Sequence, residues 1–288
     1  MKEKAVITGA NGFIGSRLAE TLEARGVQVL KLDRALLSLP DALKNTINKF
    51  KPSSVYHLAA YGNHYNQKEP GGIFGANLLG TFNLLEAVKT TKIDSFVNMG
   101  SSSEYGTKNK PMREDMLPET KTLYGATKVG ATYLVRAYAS EFGLPAVTVR
   151  PFSVYGPNEA EHRFLPTVIR CCLTGDKLKL APGVHDWIYI DDFVEGVISV
   201  SENAKLLSGE VVNIGSGVQY SNEKIVSLVQ ELCGITINIE ETGNIRSFDT
   251  VTSWVANNDK LRALGWKVNT NLQKGIKSVI DAKRTNKP

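Results

Sequence analysis

The sequence predicts an α/β fold: a doubly wound parallel sheet with a smaller C-terminal lobe. Three observations predict it. Short apolar runs of strand length alternate with amphipathic stretches of helix length through the first half of the chain. A glycine-rich turn joins the first run to the first amphipathic stretch. The alternation loses its regularity after residue 157. Strands separated by helical stretches require right-handed crossovers, which leave the strands parallel and the helices on both faces.

The elements follow in order. Ala5, Val6 and Ile7 make a short buried strand. Residues 13–25 carry Ile14, Leu18 and Leu22 on one helical face, and Gly26 stops the helix. Residues 27–32 form a second strand, 43–50 a short helix and 54–58 a third strand. Residues 73–90 form a long helix, 95–99 a strand, 124–142 a second long helix and 146–150 a fifth strand. Farther on, 164–173 and 192–204 read as helices and 211–214 as a strand. Residues 221–232 read as a helix with Ser221 at its N-cap, and 235–240 alternates as a strand does. Glu69-Pro70-Gly71-Gly72 and Ala181-Pro182-Gly183 read as loops.

Composition narrows the class. The chain has 288 residues, 42% hydrophobic and 22% charged, enough for a substantial core and far from disorder. The formal net charge of +5 comes from Lys and Arg spread along the chain, which argues for a solvated surface or a phosphate-bearing ligand and against nucleic acid. No stretch approaches the roughly 20 apolar residues of a membrane span. Lys2 and Lys4 precede a short apolar run, but it breaks into the glycine turn, so it is not read as a signal peptide. Three cysteines, Cys171, Cys172 and Cys233, fit a reducing compartment, and a cytoplasmic location is expected. His57, His64, His162 and His185 form no pair at metal-ligand spacing, and no metal is expected.

The strongest local motif is Thr8-Gly9-Ala10-Asn11-Gly12-Phe13-Ile14-Gly15, at the junction of the first strand and first helix. Gly9 permits a tight turn, Gly12 lets backbone N–H groups approach a pyrophosphate, and Gly15 lets the helix pack close. Asp33, which ends the second strand, is placed to bind the adenosine ribose hydroxyls. Its carboxylate favours NAD by repelling a 2′-phosphate; Arg34 beside it leaves NADP as the alternative. The sheet is therefore of Rossmann type. Residues 1–157, with returning segments near 187–215, are read as the NAD(P)-binding domain; 158–186 and 216–288 are read as the substrate-binding lobe.

Tyr124-Gly125-Ala126-Thr127-Lys128 opens the second long helix, so Tyr124 and Lys128 share a face one turn apart. The ammonium, with a cationic nicotinamide, is expected to lower the phenol's pKa from its usual value near ~10, so that Tyr124 exchanges a hydroxyl proton while hydride moves at the same carbon. The serine-rich loop Gly100-Ser101-Ser102-Ser103-Glu104-Tyr105-Gly106 lies just past a strand end, where α/β folds bind ligands.

These motifs occur in an order that resembles the extended short-chain dehydrogenase/reductases, specifically the NAD-dependent epimerase/dehydratase family. The likeness extends through His57-Leu58-Ala59-Ala60, Asn77, Arg150-Pro151-Phe152-Ser153-Val154-Tyr155-Gly156-Pro157, Trp187-Ile188-Tyr189-Ile190-Asp191-Asp192 and Asn213-Ile214-Gly215-Ser216-Gly217. The resemblance implies a nucleotide-sugar substrate. It implies Leu58, Ala59, Ala60, Pro151, Phe152 and Ser153 around the cofactor together with Gly9, Gly12, Phe13, Ile14 and Gly15. Lys128 would bind the nicotinamide ribose and Ser101 would be the catalytic hydroxyl. Arg246 would clamp the diphosphate and Ser102 would face substrate; His64 or Tyr65, in the polar loop after the third strand, is placed by that position to contact substrate. The resemblance also implies a homodimer paired through the two long helices. Departures are Ser102 and Ser103 where dehydratases carry an Asp-Glu pair, Ser153 where the family has Asn, and His185 where it has Arg. Two outcomes at sugar C4 stay open, epimerisation and reduction of a 4-keto-6-deoxy sugar. A 4,6-dehydratase and a non-catalytic dinucleotide sensor are the alternatives.

Overall fold

The computed structural model describes residues 3–63, 66–243 and 252–285. The strands are β1 (Lys4–Thr8), β2 (Gln28–Leu32), β3 (Ser54–His57), β4 (Ser95–Met99), β5 (Ala146–Pro151), β6 (Ser153–Tyr155), β7 (Leu178–Leu180), β8 (Val184–Tyr189), β9 (Val211–Ile214), β10 (Gln219–Ser221) and β11 (Ile239–Glu241). The helices are α1 (Phe13–Ala24), α2 (Pro40–Phe50), α3 (Pro70–Phe74), α4 (Gly80–Val88), α5 (Leu123–Phe142), α6 (Phe164–Thr174), α7 (Ile190–Glu202), α8 (Asn222–Cys233), α9 (Asp259–Arg262) and α10 (Leu272–Thr285).

Six strands pair in parallel in the order β2-β1-β3-β4-β5-β9. The chain runs outward from β1 to β2, then returns across β1 to β3. The order therefore reverses beside β1, and a crevice opens there beyond the carboxyl ends of the strands. One face is covered by α1 and α7, through Leu18, Leu22, Phe193 and Val197. The other is covered by α2, α4 and α5, through Leu43, Ile47, Leu84, Leu85 and Val135. Burial on both faces explains why these strands read as continuous apolar runs instead of alternating.

A third cluster forms the core of the remaining lobe. Leu165 and Ile169 of α6, Ile225 and Val229 of α8, and Ile276 and Ile280 of α10 meet there. Two small sheets edge this lobe, β10-β8-β6 and β11-β7. The segment around Trp187 thus pairs with β6 and β10 instead of returning to the six-stranded sheet; only β9 does so. The expected strand over 235–240 shrinks to β11, because its single partner β7 is three residues long. The expected helix over 73–90 begins earlier, at Pro70, and is interrupted by a π turn, Gly75–Leu79. Ser221 caps α8 as expected, its hydroxyl accepting from Lys224 N at 3.2 Å.

Candidate active site

The glycine turn sits at the reversal point. Gly9 adopts φ +71°, and a Cβ there would lie 2.8 Å from Ala59 N and 2.9 Å from Leu58 C. A Cβ on Gly15 would overlap the Gly9 carbonyl oxygen and stand 2.9 Å from Ala10 Cα. The turn, the start of α1 and the exit of β3 are therefore packed backbone to backbone. No side chain caps α1, whose N-cap is Gly12. Its first N–H groups and the positive end of its dipole are left to an anion. Asp33 is exposed at the end of β2, and its Oδ1 accepts from Ala35 N at 2.8 Å. That bond fixes the carboxylate beside the crevice and leaves its second oxygen for a ligand. These features fit a dinucleotide: a cradle that any Cβ would fill, an uncapped helix and an acid at the next strand end.

A buried chain of hydrogen bonds ties this turn to the helices behind it. Ala59 N donates to Thr8 Oγ1 at 3.1 Å, and Thr8 Oγ1 lies 2.7 Å from His57 Nδ1. Thr81 Oγ1 donates to Asn77 O at 2.7 Å, so His57 Nε2, 3.0 Å from the same oxygen, must be the donor there. His57 is thus a neutral Nε2–H imidazole. Burial first, and the Lys128 charge second, hold its pKa down at about 3. Asn77 lies in the π turn. Its side chain accepts from Tyr61 N (2.9 Å) and donates to Tyr61 O (2.8 Å) and to Thr127 Oγ1 (3.0 Å). Thr127 Oγ1 in turn donates to Tyr124 O at 2.9 Å. The loop after β3 is in this way fastened to the first turn of α5.

Tyr124 and Lys128 stand on α5, whose N-cap Thr122 accepts from Gly125 N at 3.0 Å. The Lys128 ammonium is buried; it donates to Met99 O at 2.8 Å and lies 5.9 Å from the Tyr124 ring centre. The Ser101 side chain lies near enough to the Tyr124 phenol to draw its pKa down. Ser101, Tyr124 and Lys128 are therefore brought together at the carboxyl end of β4. The electrostatics differ from expectation. Burial pushes the phenol up to about 12, the neighbouring Ser101 side chain pulls it down, and Lys128 is not among its leading influences. Burial also lowers the Lys128 ammonium to about 8, against the pull of Glu104.

Beneath Ser101 lies Glu104, fully buried. Its Oε1 accepts from Ser101 N at 2.8 Å. Its Oε2 accepts from Thr132 Oγ1 at 2.9 Å, and from Arg150 Nε and Nη2 at 3.0 and 2.7 Å. The Arg150 guanidinium also stacks 4.3 Å from the Tyr105 ring, whose hydroxyl donates to Asn213 Oδ1 at 2.8 Å. A Cβ on Gly100 would lie 2.5 Å from Glu104 Oε1. The glycine in this loop thus admits the carboxylate.

Pro151, Phe152 and Ser153 leave the sheet at the carboxyl end of β5, with the Phe152 ring turned into a small cluster with Tyr105, Met112 and Trp254. Leu58 and Ala59 flank the glycine turn, and Ser102 is buried behind Ser101. His64, Tyr65 and Arg246 lie outside the described residues. Sequence reasoning missed Asp186. This buried carboxylate accepts from Ser216 N, Ser216 Oγ, Gly217 N and Ala256 N at 2.6–3.0 Å, joining three separate segments of the lobe edge. Glu159 and Arg163, just before α6, were also missed. Arg163 Nε is 3.5 Å from Glu159 Oε1, and its charge reaches the Tyr124 phenol. Among the described residues no group of three or more His, Cys, Asp or Glu is arranged to hold a metal, and no helix is long and apolar enough to cross a membrane.

Comparison with known proteins gives a concordant result. The profile of the NAD dependent epimerase/dehydratase family matches residues 5–215. The chain is 28% identical to the UDP-glucuronate 4-epimerase of Thermodesulfobacterium geofontis, over 98% of this chain and 96% of that one. It is 27% identical to the CDP-abequose synthase of Salmonella typhimurium, over 97% and 98%. The crystal structure of Thermus thermophilus UDP-glucose 4-epimerase in complex with NAD superposes with a TM-score of 0.87 at 26% identity, covering 99% of this chain and all of that one.

Proposed function

The chain belongs to the NAD dependent epimerase/dehydratase family, and from that premise we propose that it is a nucleotide-sugar oxidoreductase acting at sugar C4. The carrying observation is the Tyr124 phenol beside the Ser101 side chain, with the buried Lys128 ammonium one turn along the same helix and 5.9 Å from the phenol ring. NAD, when bound, supplies the hydride acceptor or donor for the sugar carbon. Tyr124 takes or gives the C4 hydroxyl proton, Ser101 orients that oxygen, and Lys128 holds the nicotinamide ribose. Gly9, Gly12, Phe13, Ile14 and Gly15 receive the pyrophosphate, and Asp33 binds the adenosine ribose. Leu58, Ala59, Ala60, Pro151, Phe152 and Ser153 wall the site. With the phenol held near 12 by the chain itself, its acidification falls to the bound cofactor's charge. Asp33 selects NAD over NADP.

Ser102, His64 and Arg246 are assigned to the substrate, which a lobe made of residues 158–189 and 216–288 would hold against the NAD-binding domain of 1–157 and 190–215. Two outcomes share this chemistry. In one, the C4 ketone is reduced again on its opposite face, giving the epimer; in the other, a 4-keto-6-deoxy sugar is reduced once. Likeness to a 4-epimerase and to CDP-abequose synthase at nearly equal identity supports both. Dehydration is disfavoured, because Glu104 is wholly engaged by Ser101, Thr132 and Arg150 and is not free to move a proton. Exposed Leu79 and Phe82 on the π turn and α4, and Tyr133 on α5, support a homodimer through these helices, and the free cysteines Cys171, Cys172 and Cys233 support a cytoplasmic location. The test is incubation with NADH and a panel of nucleotide 4-keto sugars and nucleotide hexoses. Net NADH loss identifies the reductase, sugar conversion without net loss the epimerase, and tight NAD binding with neither outcome refutes both.

A further inference from the structure

Asp186 lies on β8, wholly buried, and both its oxygens are filled. Oδ1 accepts from Ser216 N and Ser216 Oγ at 2.7 and 2.6 Å, and Oδ2 accepts from Gly217 N and Ala256 N at 3.0 Å each. Four donors saturate an ionised carboxylate, which accepts at about four positions. A Cβ on Gly215 would lie 2.6 Å from Oδ2, so a glycine at the exit of β9 admits the carboxylate. The donors come from two places. Ser216 and Gly217 stand where the chain leaves the six-stranded sheet, and Ala256 belongs to a strap, residues 252–258. Gln219, opposite Asp186 in the β10–β8 pair, holds the same strap: its Oε1 accepts from Trp254 N at 2.9 Å and its Nε2 donates to Thr252 O at 3.1 Å. The wall of the candidate site adjoins this junction. Trp187 pairs in register with Ser153, and Phe152 N donates to Ile214 O at 3.1 Å.

We propose that Asp186 is a positioning residue for the nucleotide sugar: it fixes β8 and the strap against the exit of β9, and so sets the affinity for the nucleotide end of the substrate without touching it. The proposal rests on the reading that the lobe holds a nucleotide sugar. Arg246, assigned to the diphosphate, stands six residues before the strap in the sequence. The glycine turn, Tyr124 and Lys128 stand on β1, α1 and α5, and none of the four donors to Asp186 comes from those elements. Losing the carboxylate therefore weakens the nucleotide site and spares the NAD site. Asparagine keeps the shape but turns N–H groups toward donors that an oxygen now receives.

The test compares wild type, Asp186→Asn and the milder Ser216→Ala, which removes only the hydroxyl donor. The NAD-saturated proteins are titrated calorimetrically with UDP, CDP, GDP and dTDP in turn, and NAD affinity is read separately by fluorescence. The nucleoside diphosphate that wild type binds should bind roughly tenfold more weakly to Asp186→Asn, about the worth of one charge-assisted hydrogen bond, and roughly twofold more weakly to Ser216→Ala. The NAD dissociation constant should stay within a factor of about two in both. A merely structural role would lower the folded fraction, and with it the binding stoichiometry, and leave the dissociation constant of the folded molecules unchanged. Unchanged nucleoside diphosphate affinity in the variants, or an equal loss of NAD affinity, overturns the positioning role alone. Where Asp186→Asn does not fold, the same criteria applied to Ser216→Ala decide. Failure of wild type to bind any of the four nucleotides overturns the reading of the lobe, and the proposal with it.

Discussion

Replacing Glu159 by Gln should make the protein more resistant to alkaline pH. Glu159 is 7% exposed, its Oε2 has no partner, and Arg163 meets only its Oε1, at 3.5 Å. Burial raises its pKa to about 7 against the ordinary 4.5, with Arg163 and Lys283 opposing. A raised carboxyl pKa means that the folded state binds the proton more tightly than the unfolded chain does. Its contribution is fully present below pH 4.5 and is lost as pH rises through about 7. The gap, at about 1.4 kcal/mol per tenfold, is on the order of 3 kcal/mol. Glutamine keeps the shape and never ionises, so the difference between wild type and Glu159→Gln isolates this group from every other titration. Melting temperatures of both proteins from pH 5 to 9 make the measurement. The gap between them should open in favour of the variant from pH 5 to about 7 and stay level above it, reaching roughly 6 °C at most for a chain of this size. Parallel curves would show that Glu159 is solvated or fully paired in the folded state, and the reasoning would be refuted.

Four further outcomes follow from the same contacts. Tyr124→Phe should lower turnover by about 10²- to 10⁴-fold while the NAD dissociation constant, read by fluorescence titration, stays within a factor of two; retained turnover removes Tyr124 as the proton carrier. Gly15→Ala should lower the unfolding free energy from urea denaturation by about 1–3 kcal/mol and abolish NAD binding, because its Cβ meets the Gly9 carbonyl and not a side chain that can rotate away. His57 should show the 15N NMR pattern of an Nε2–H tautomer and no titration between pH 5 and 9. Its depressed pKa means that stability falls as pH drops from 6.5 toward about 3, the opposite sense to Glu159. Glu104→Gln should destabilise by about 3–5 kcal/mol in chemical denaturation, since it strands the buried Arg150; a cost under about 1 kcal/mol would mean that water reaches the pair.

The parts legible in the sequence are those whose physics is local. The glycine turn, the Tyr124–Lys128 spacing and the apolar runs of the central sheet depend on neighbours within a few residues. The missed parts depend on distant partners. Asp186 gathers donors 30 and 70 residues away, and Asn77 reaches Thr127 across 50. No spacing rule announces such pairings. The π turn escaped for a related reason: its purpose is to carry Asn77 inward, which only the position of Tyr61 explains. The helix α10 was missed although Leu272, Ile276, Val279 and Ile280 stand at helical spacing. Its polar remainder and the irregular lobe around it masked the signal. The 235–240 alternation misled, because alternation reports one buried face and not a partner strand long enough to pair.

Glu104 shows how an isolated motif reading and a structure combine. In the sequence it is an acid out of register, one or two places late for proton transfer at carbons 5 and 6. In the fold that displacement has a cause. From its position the carboxylate turns inward, Gly100 leaves the space, and four donors close on it. An acid that carries both the Ser101 backbone and the Arg150 charge cannot also shuttle protons without releasing them. The same residue that removes the elimination chemistry therefore fixes the backbone that carries the Ser101 hydroxyl.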